Sequence, residues 1–379
     1  AAVVLAEEPV RTEIIDWTMR SGRINDGDIQ GGNVLKNLVN TIDRDGQANE
    51  VGLNYNSYQM KALERVADYL LSYAKDGKRN YNLFDFPKYS KMFEPWNALQ
   101  IMDNQQPNLG DSGGVGTLGF YGAGEPMVTN FMSLYALGNP DTESILRETA
   151  QFIYRWKNYK LEDIRTSIFD AEPEAVQDVL KDYISGEQPL TRSDILPGYG
   201  FAVLRDGTKY NSASNQSKIN TQRDFWMYFG PTIAAHSHAD ALRIGIDAFG
   251  FSVAPDFGYP ANAGKFPQRL QWDSETISGN TVSVNDDSQV GFSEGATPYH
   301  YDDSGIVKLI DAEALGAYKT TVDDLEHYRR TVVMVKVDED NSYGIDFFRV
   351  KGGESHLFSF YGAAEHVNAV DGLGEVTKQ

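Results

Sequence analysis

The chain has 379 residues, 41% hydrophobic and 12% aromatic, enough to bury a large core and to form two domains. A formal charge of −20 excludes a general nucleic-acid binder, which needs a basic face; an anionic substrate would have to be drawn by local cations against that field. Cysteine is absent, which excludes disulfides and thiolate metal sites, and no apolar run approaches the ~18 residues of a membrane-spanning helix.

The first ten residues, AAVVLAEEPV, lack the basic start and long apolar stretch of a signal peptide, so the chain is read as mature or as lacking its true beginning. Residues 57–77 then carry Met60, Leu63, Val66, Ala67, Leu70 and Leu71 on one stripe ending at Gly77, which predicts an amphipathic helix. MVTNFMSLYALGNP (127–140) and TESILRETAQFIYRWKNY (142–159) repeat the pattern, the second with Asp141 or Thr142 as its cap. From about residue 197 the texture changes to short β-branched or aromatic runs separated by Gly, Asn and Asp turns. These are residues 198–207, 223–231, 241–255, 280–284, 305–311, 329–337 and 343–350. The residues Asp338–Asp340 with Asn341 and Ser342 read as a hairpin loop. The expected class is α+β with two domains, helical over 1–190 and antiparallel β over 191–379, with the boundary near SGEQPLTRSD (185–194).

Residues 231–242, PTIAAHSHADAL, hold the first two of six histidines. In an extended chain His236, His238 and Asp240 point to one side, because a strand has a period of two. Three polar groups on one face form either a satisfied hydrogen-bond network or a site. Asp256 follows at the end of the next strand, and imidazole with carboxylate suits zinc, so His238 with Asp256 is a candidate pair.

The stretch PTIAAHSHADALRIGIDAFGFSVAPDFGYP resembles the C-terminal segment of the heparinase II/III-like polysaccharide lyases. SETISGNTVSVNDDSQ resembles that family's later Asn-Thr-Val stretch, GYGFAVLRDG its first β-domain strand, and NLGDSGG (108–114) its Gly-Asp-Ser segment. ANEVGLNYNSYQ resembles the Glu-x-Gly-x-x-Tyr stretch that bears the catalytic tyrosine, matched here by Tyr55. The resemblance implies an incomplete (α/α) toroid followed by an antiparallel β-sandwich, and cleavage of a uronic-acid polysaccharide by β-elimination. It makes Tyr55 the base, the acid or both in turn. His236 would neutralise the uronate carboxylate or share the proton work, and a Tyr55 phenolate at neutral pH would need positive charge nearby. Tyr259, Arg269 and Asp111 are expected to line the cleft, with Arg269 suited to gripping a carboxylate or else engaged in an ordinary ion pair, and Asp111 serving either there or in a turn.

His238 and Asp256 resemble ligands of a structural metal, usually zinc. The family's third ligand is a histidine where this chain has Gly279, so occupancy would require a water, Asp273 or another carboxylate in its place. No histidine precedes residue 236, whereas the family has one in its helical domain. The chain is therefore expected to be incomplete at both ends, with a separate N-terminal half as partner. Arg243 is read as solvated, Trp226 as core, Trp96 and Trp272 as core or sugar-stacking, and His300, His327, His356 and His366 as structural or surface residues. The expected substrate is an anionic polysaccharide such as alginate, a glycosaminoglycan or an ulvan-like polymer, met in the periplasm or outside the cell by the same resemblance; neither nucleic acid nor membrane is an expected partner. The alternatives are a carbohydrate-binding protein of this fold without catalysis, and a cupin-like metal enzyme, which would leave the helical half unexplained.

Overall fold

The computed structural model describes residues 6–25, 27–75, 81–102, 105–114, 124–184, 192–207, 221–233, 236–259 and 267–362. Up to residue 184 these are mostly helical. The helices are α1 (Val10–Met19), α2 (Val34–Asn40), α3 (Leu53–Lys75), α4 (Pro87–Lys91), α5 (Pro95–Ala98), α6 (Gly124–Leu137), α7 (Glu143–Trp156) and α8 (Ala175–Ile184), with a small ribbon of β1 (Ile24–Asn25) and β2 (Asp28–Ile29) after α1. The predicted stripe of α3 is real: Met60, Leu63, Ala67 and Leu70 are buried, each such side chain contributing roughly 1.5–3 kcal/mol where it is large. The helix starts four residues earlier than the apolar stripe indicates, so Tyr55 lies in its first turn. Thr142 is the N-cap residue of α7 but makes no side-chain cap bond; Asn139 instead accepts from the Asp141 N–H at 3.0 Å in the turn before it.

The later residues form antiparallel sheets. Five strands, β3 (Asp194–Leu196), β4 (Phe201–Asp206), β5 (Arg223–Tyr228), β6 (Arg243–Ala248) and β7 (Phe251–Ala254), pair in chain order. A second pair is β8 (Val282–Val284) with β13 (His356–Phe358). The four strands β9 (Thr297–Asp302), β10 (Val307–Glu313), β11 (His327–Lys336) and β12 (Ser342–Lys351) form a meander. The predicted hairpin loop joins β11 to β12, where Asp338 accepts from the backbone of Asp340 and Asn341.

The strands β4 and β5 explain how the helical and sheet regions join. Both are buried along their whole length, and alternate residues serve different cores. Phe201, Val203, Trp226 and Tyr228 join the core of the helices. Ala202, Leu204, Phe225 and Met227 join a second core with Ile310, Val332 and Met334 of the four-stranded sheet. A period of two thus puts helices on one face and a sheet on the other. Arg205, also fully buried, donates to the carbonyls of Ala98 and Gln100 at 2.8 and 2.6 Å, satisfying backbone oxygens at and after the end of α5. Among the described residues no helix is long and apolar enough to cross a membrane.

Candidate active site

Five described segments meet at one cluster: the start of α3 and residues 108–114, 236–242, 256–259 and 267–273. Gly110 makes the first close approach. Its φ is +54°, and a Cβ there would lie 2.3 Å from the carbonyl oxygen of His236. Only glycine fits, and the next N–H, of Asp111, donates to that same oxygen at 3.0 Å. Asn54 of α3 donates to Ser112 Oγ at 3.3 Å, and the Tyr259 N–H donates to the Gly113 carbonyl at 2.6 Å.

Asp111 is the hub. It is 1% exposed. Its carboxylate accepts from His236 Nδ1 at 3.0 Å, from His238 Nε2 at 3.1 Å, and from Arg269 through Nε at 2.9 Å and Nη2 at 2.5 Å. Burial by itself pushes its pKa up; the donors His238, Arg269 and His236 outweigh it and hold the carboxyl well below the ordinary range. An ionised carboxylate can only accept, so the ring protons sit on His236 Nδ1 and His238 Nε2. The two histidines therefore share one carboxylate. Residues 236–240 are not a strand but a turn and irregular backbone leading into β6, which corrects the extended reading.

The rings of Tyr55 and His236 stack, with centroids 3.3 Å apart and planes 6° from parallel. His236 Nε2 lies 3.4 Å from Glu50 Oε2. Glu50 was not singled out from the sequence, although it is the first residue of the Glu-x-Gly-x-x-Tyr stretch. The Tyr55 pKa is raised, first by burial and then by Tyr259, Asp111 and Tyr58, with Arg269 opposing. The surroundings thus favour the protonated phenol over the phenolate that the base role needs at neutral pH. The Arg269 guanidinium sits 5.5 Å from the Tyr259 ring centroid. Its bidentate edge is turned onto Asp111. Asp111 is buried with both carboxylate oxygens engaged by these donors.

The implied metal can be tested against the donors present. His238 directs Nε2 to Asp111, while its Nδ1 is buried without a hydrogen-bond partner among the described residues. Asp256 Oδ1 accepts from the Gly258 N–H at 2.8 Å and lies 2.7 Å from Arg243 Nη1. Asp256 Oδ2 and Asp273 Oδ2 are likewise buried and unpartnered, so single donors are available. Yet among the described residues no three His, Asp or Glu side chains are grouped so as to hold an ion, and Gly279 offers no side chain. The set does not fit the implied metal.

Other expectations resolve simply. Arg243, read as solvated, is fully buried; Asp240 beside it is buried too, and burial pushes its carboxyl up to about 6. Trp226 is core, with Nε1 donating to Asp247 at 2.8 Å, and Trp96 donates to the Met92 carbonyl at 3.1 Å within the helical core. Trp272 is 36% exposed beside Phe257 and Tyr361. His300, His327 and His356 are exposed, and His366 lies outside the described residues. A separate cavity of about 440 Å³ opens on α3, lined by Lys61, Arg65, Lys157 and Arg165 but also by Glu64, Glu125 and Asp163, so it forms no cationic patch.

Helices are followed by antiparallel sheets, and a tyrosine, paired histidines, an arginine and a buried carboxylate lie where they meet. Residues 193–372 match the model of the family described as Heparinase II/III-like, C-terminal. Among solved structures, a heparinase III is similar at 18% identity and a TM-score of 0.53, over 84% of this chain and 40% of its own. The heparan sulfate lyase HepC from Pedobacter heparinus is similar at 15% identity and a TM-score of 0.52, over the same shares. At these identities the likeness concerns the fold, and the chain spans 40% of the length of those structures. No curated protein matches the chain.

Proposed function

We propose that the protein is a polysaccharide lyase that cleaves a uronic-acid polymer by β-elimination. The observation that supports this reading is the Tyr55–His236 stack over Asp111, with Arg269 on the same carboxylate. The reaction needs a base for the proton beside the uronate carboxylate, a partner for the charge that builds up there, and an acid for the departing glycosidic oxygen. Asp111 keeps the His236 proton on Nδ1, so Nε2, 3.4 Å from Glu50, carries the lone pair that takes the substrate proton. As that C–H bond breaks, the C–C double bond forms and the glycosidic C–O bond breaks. Tyr55, favoured as the neutral phenol, gives its proton to the leaving oxygen. The stacked rings then allow the proton on His236 to return to Tyr55 through a water. Arg269, fixed by Asp111 and flanked by Tyr259, supplies positive charge beside the carboxylate.

The helices up to residue 190 would be part of an (α/α) toroid and residues 191–379 a β-sandwich domain. An exported location, periplasmic or extracellular, goes with such a substrate. The family match of residues 193–372 supports this reading over the cupin-like alternative.

The test is incubation with alginate, glycosaminoglycans and ulvan while following the ultraviolet absorbance of a 4,5-unsaturated uronate. At least one polymer should give the product. Tyr55→Phe, which removes one oxygen and keeps the ring stack, should abolish the signal while binding persists. A wild-type protein that binds one of these polymers and never yields the unsaturated product would be a carbohydrate-binding protein, and the lyase reading would fall.

A further inference from the structure

Arg243 is the first residue of β6, fully buried, and has no role in the chemistry above. Its guanidinium stands among three segments of the candidate site. Nη1 lies 2.7 Å from Asp256 Oδ1, on the loop that leads to Tyr259, and 3.6 Å from Asp240 Oδ2, two residues after His238. Nη2 donates to Ser278 Oγ at 3.1 Å. Ser278 in turn donates to the carbonyl of Asp273, at the end of the turn that begins with Arg269. One cation therefore ties together the supports of His238, Tyr259 and Arg269.

The place it occupies is informative. A Cβ built on Gly279 would lie 2.9 Å from Arg243 Nε and 3.1 Å from Nη2. A real Cβ does not approach a fixed nitrogen that closely, so the guanidinium fills the room that a side chain at position 279 would need. Position 279 is also where the expected third metal ligand is absent, and Asp256 is one of the two expected ligands that remain. The Nη1 contacts to Asp256 and Asp240 are close but lack hydrogen-bond alignment, as for a charge held by surrounding charges. A metal ion on Asp256 would stand beside a buried guanidinium, and two positive charges at that range in a medium poorer than water repel strongly.

We propose that Arg243 replaces the structural metal in this chain: its guanidinium supplies the positive charge at Asp256, and the missing side chain of Gly279 makes room for it. Arg243 is a positioning residue that acts through the loops it joins. The site architecture is then independent of metal ions, and this holds whether or not the protein is a lyase.

The experiment combines elemental analysis with thermal melting. Protein purified without chelator should contain well under one equivalent of any transition metal or calcium. Its melting temperature should not move when a chelator or excess zinc is added. Arg243→Ala should melt more than 5 °C lower, and the pair Arg243→Ala with Gly279→His should regain a zinc-dependent rise in melting temperature that the wild type lacks. Stoichiometric metal in the wild-type protein, or a fall in its melting temperature on chelation, overturns the proposal. That measurement needs no variant, so it decides the matter even if Arg243→Ala does not fold.

Discussion

Replacing Asp111 with Asn tests the hub directly. The change keeps the shape and removes the charge. Asp111 accepts hydrogen bonds from His236, His238 and two nitrogens of Arg269. An asparagine has a single acceptor oxygen, and its NH₂ group must face one of those donors. Removing one partner of a buried charge pair costs about 3–5 kcal/mol, much of it the cost of the unpaired group left behind. The hydrogen bonds share one carboxylate, so their contributions do not add, and about 3–5 kcal/mol is the whole expected loss. At about 2 °C per kcal/mol for a large chain, the melting temperature should fall by about 6–10 °C. The rate on the responsive polymer should fall by about 10²–10⁴, because His236 and Arg269 lose their common anchor. The sign of the pH dependence follows from the depressed pKa of Asp111. Its contribution is present above the unfolded carboxyl value of about 3.9 and is lost as pH falls through the lower folded value. The gap in stability between wild type and variant should therefore be constant from neutral pH to about 5 and narrow in stronger acid. A variant that melts within 2 °C of the wild type at neutral pH and turns over within threefold of it would refute the hub.

His236→Ala should lower the rate by about 10²–10³ with little change in melting temperature, since a quarter of the imidazole is exposed and the fold does not rest on it; steady-state rates and a melt on the same preparation check this. Gly110→Ala puts a Cβ against the His236 carbonyl at a left-handed φ, and should cost about 1–3 kcal/mol, read by denaturant unfolding. It should also reduce turnover, because the displaced carbonyl belongs to the histidine itself.

Much of the fold was written in local patterns. The short apolar and aromatic runs between turn residues in 198–207 and 223–231 mark β4 and β5, and a stripe repeating every three or four residues marks α3, because composition and period reflect the local backbone. The short strands β3 and β13 escaped, having too few residues for a period to show. Tyr55 and His236 could be singled out from the motifs around them, yet nothing local says that their rings touch. Glu50 sits at the head of the same motif, and its place beside His236 Nε2 appears only in the fold. Arg269 does grip a carboxylate in two places, as its chemistry suggests, but the carboxylate is Asp111, 158 residues earlier. Arg243 looked like a solvated residue on a strand and proved to be a buried cation filling the space beside Gly279. A sequence displays the chemistry each side chain carries and the period on which it repeats. Which donor meets which acceptor, and whether water reaches them, depends on segments brought together from distant parts of the chain, and burial then decides whether a charge is held by water or by another residue.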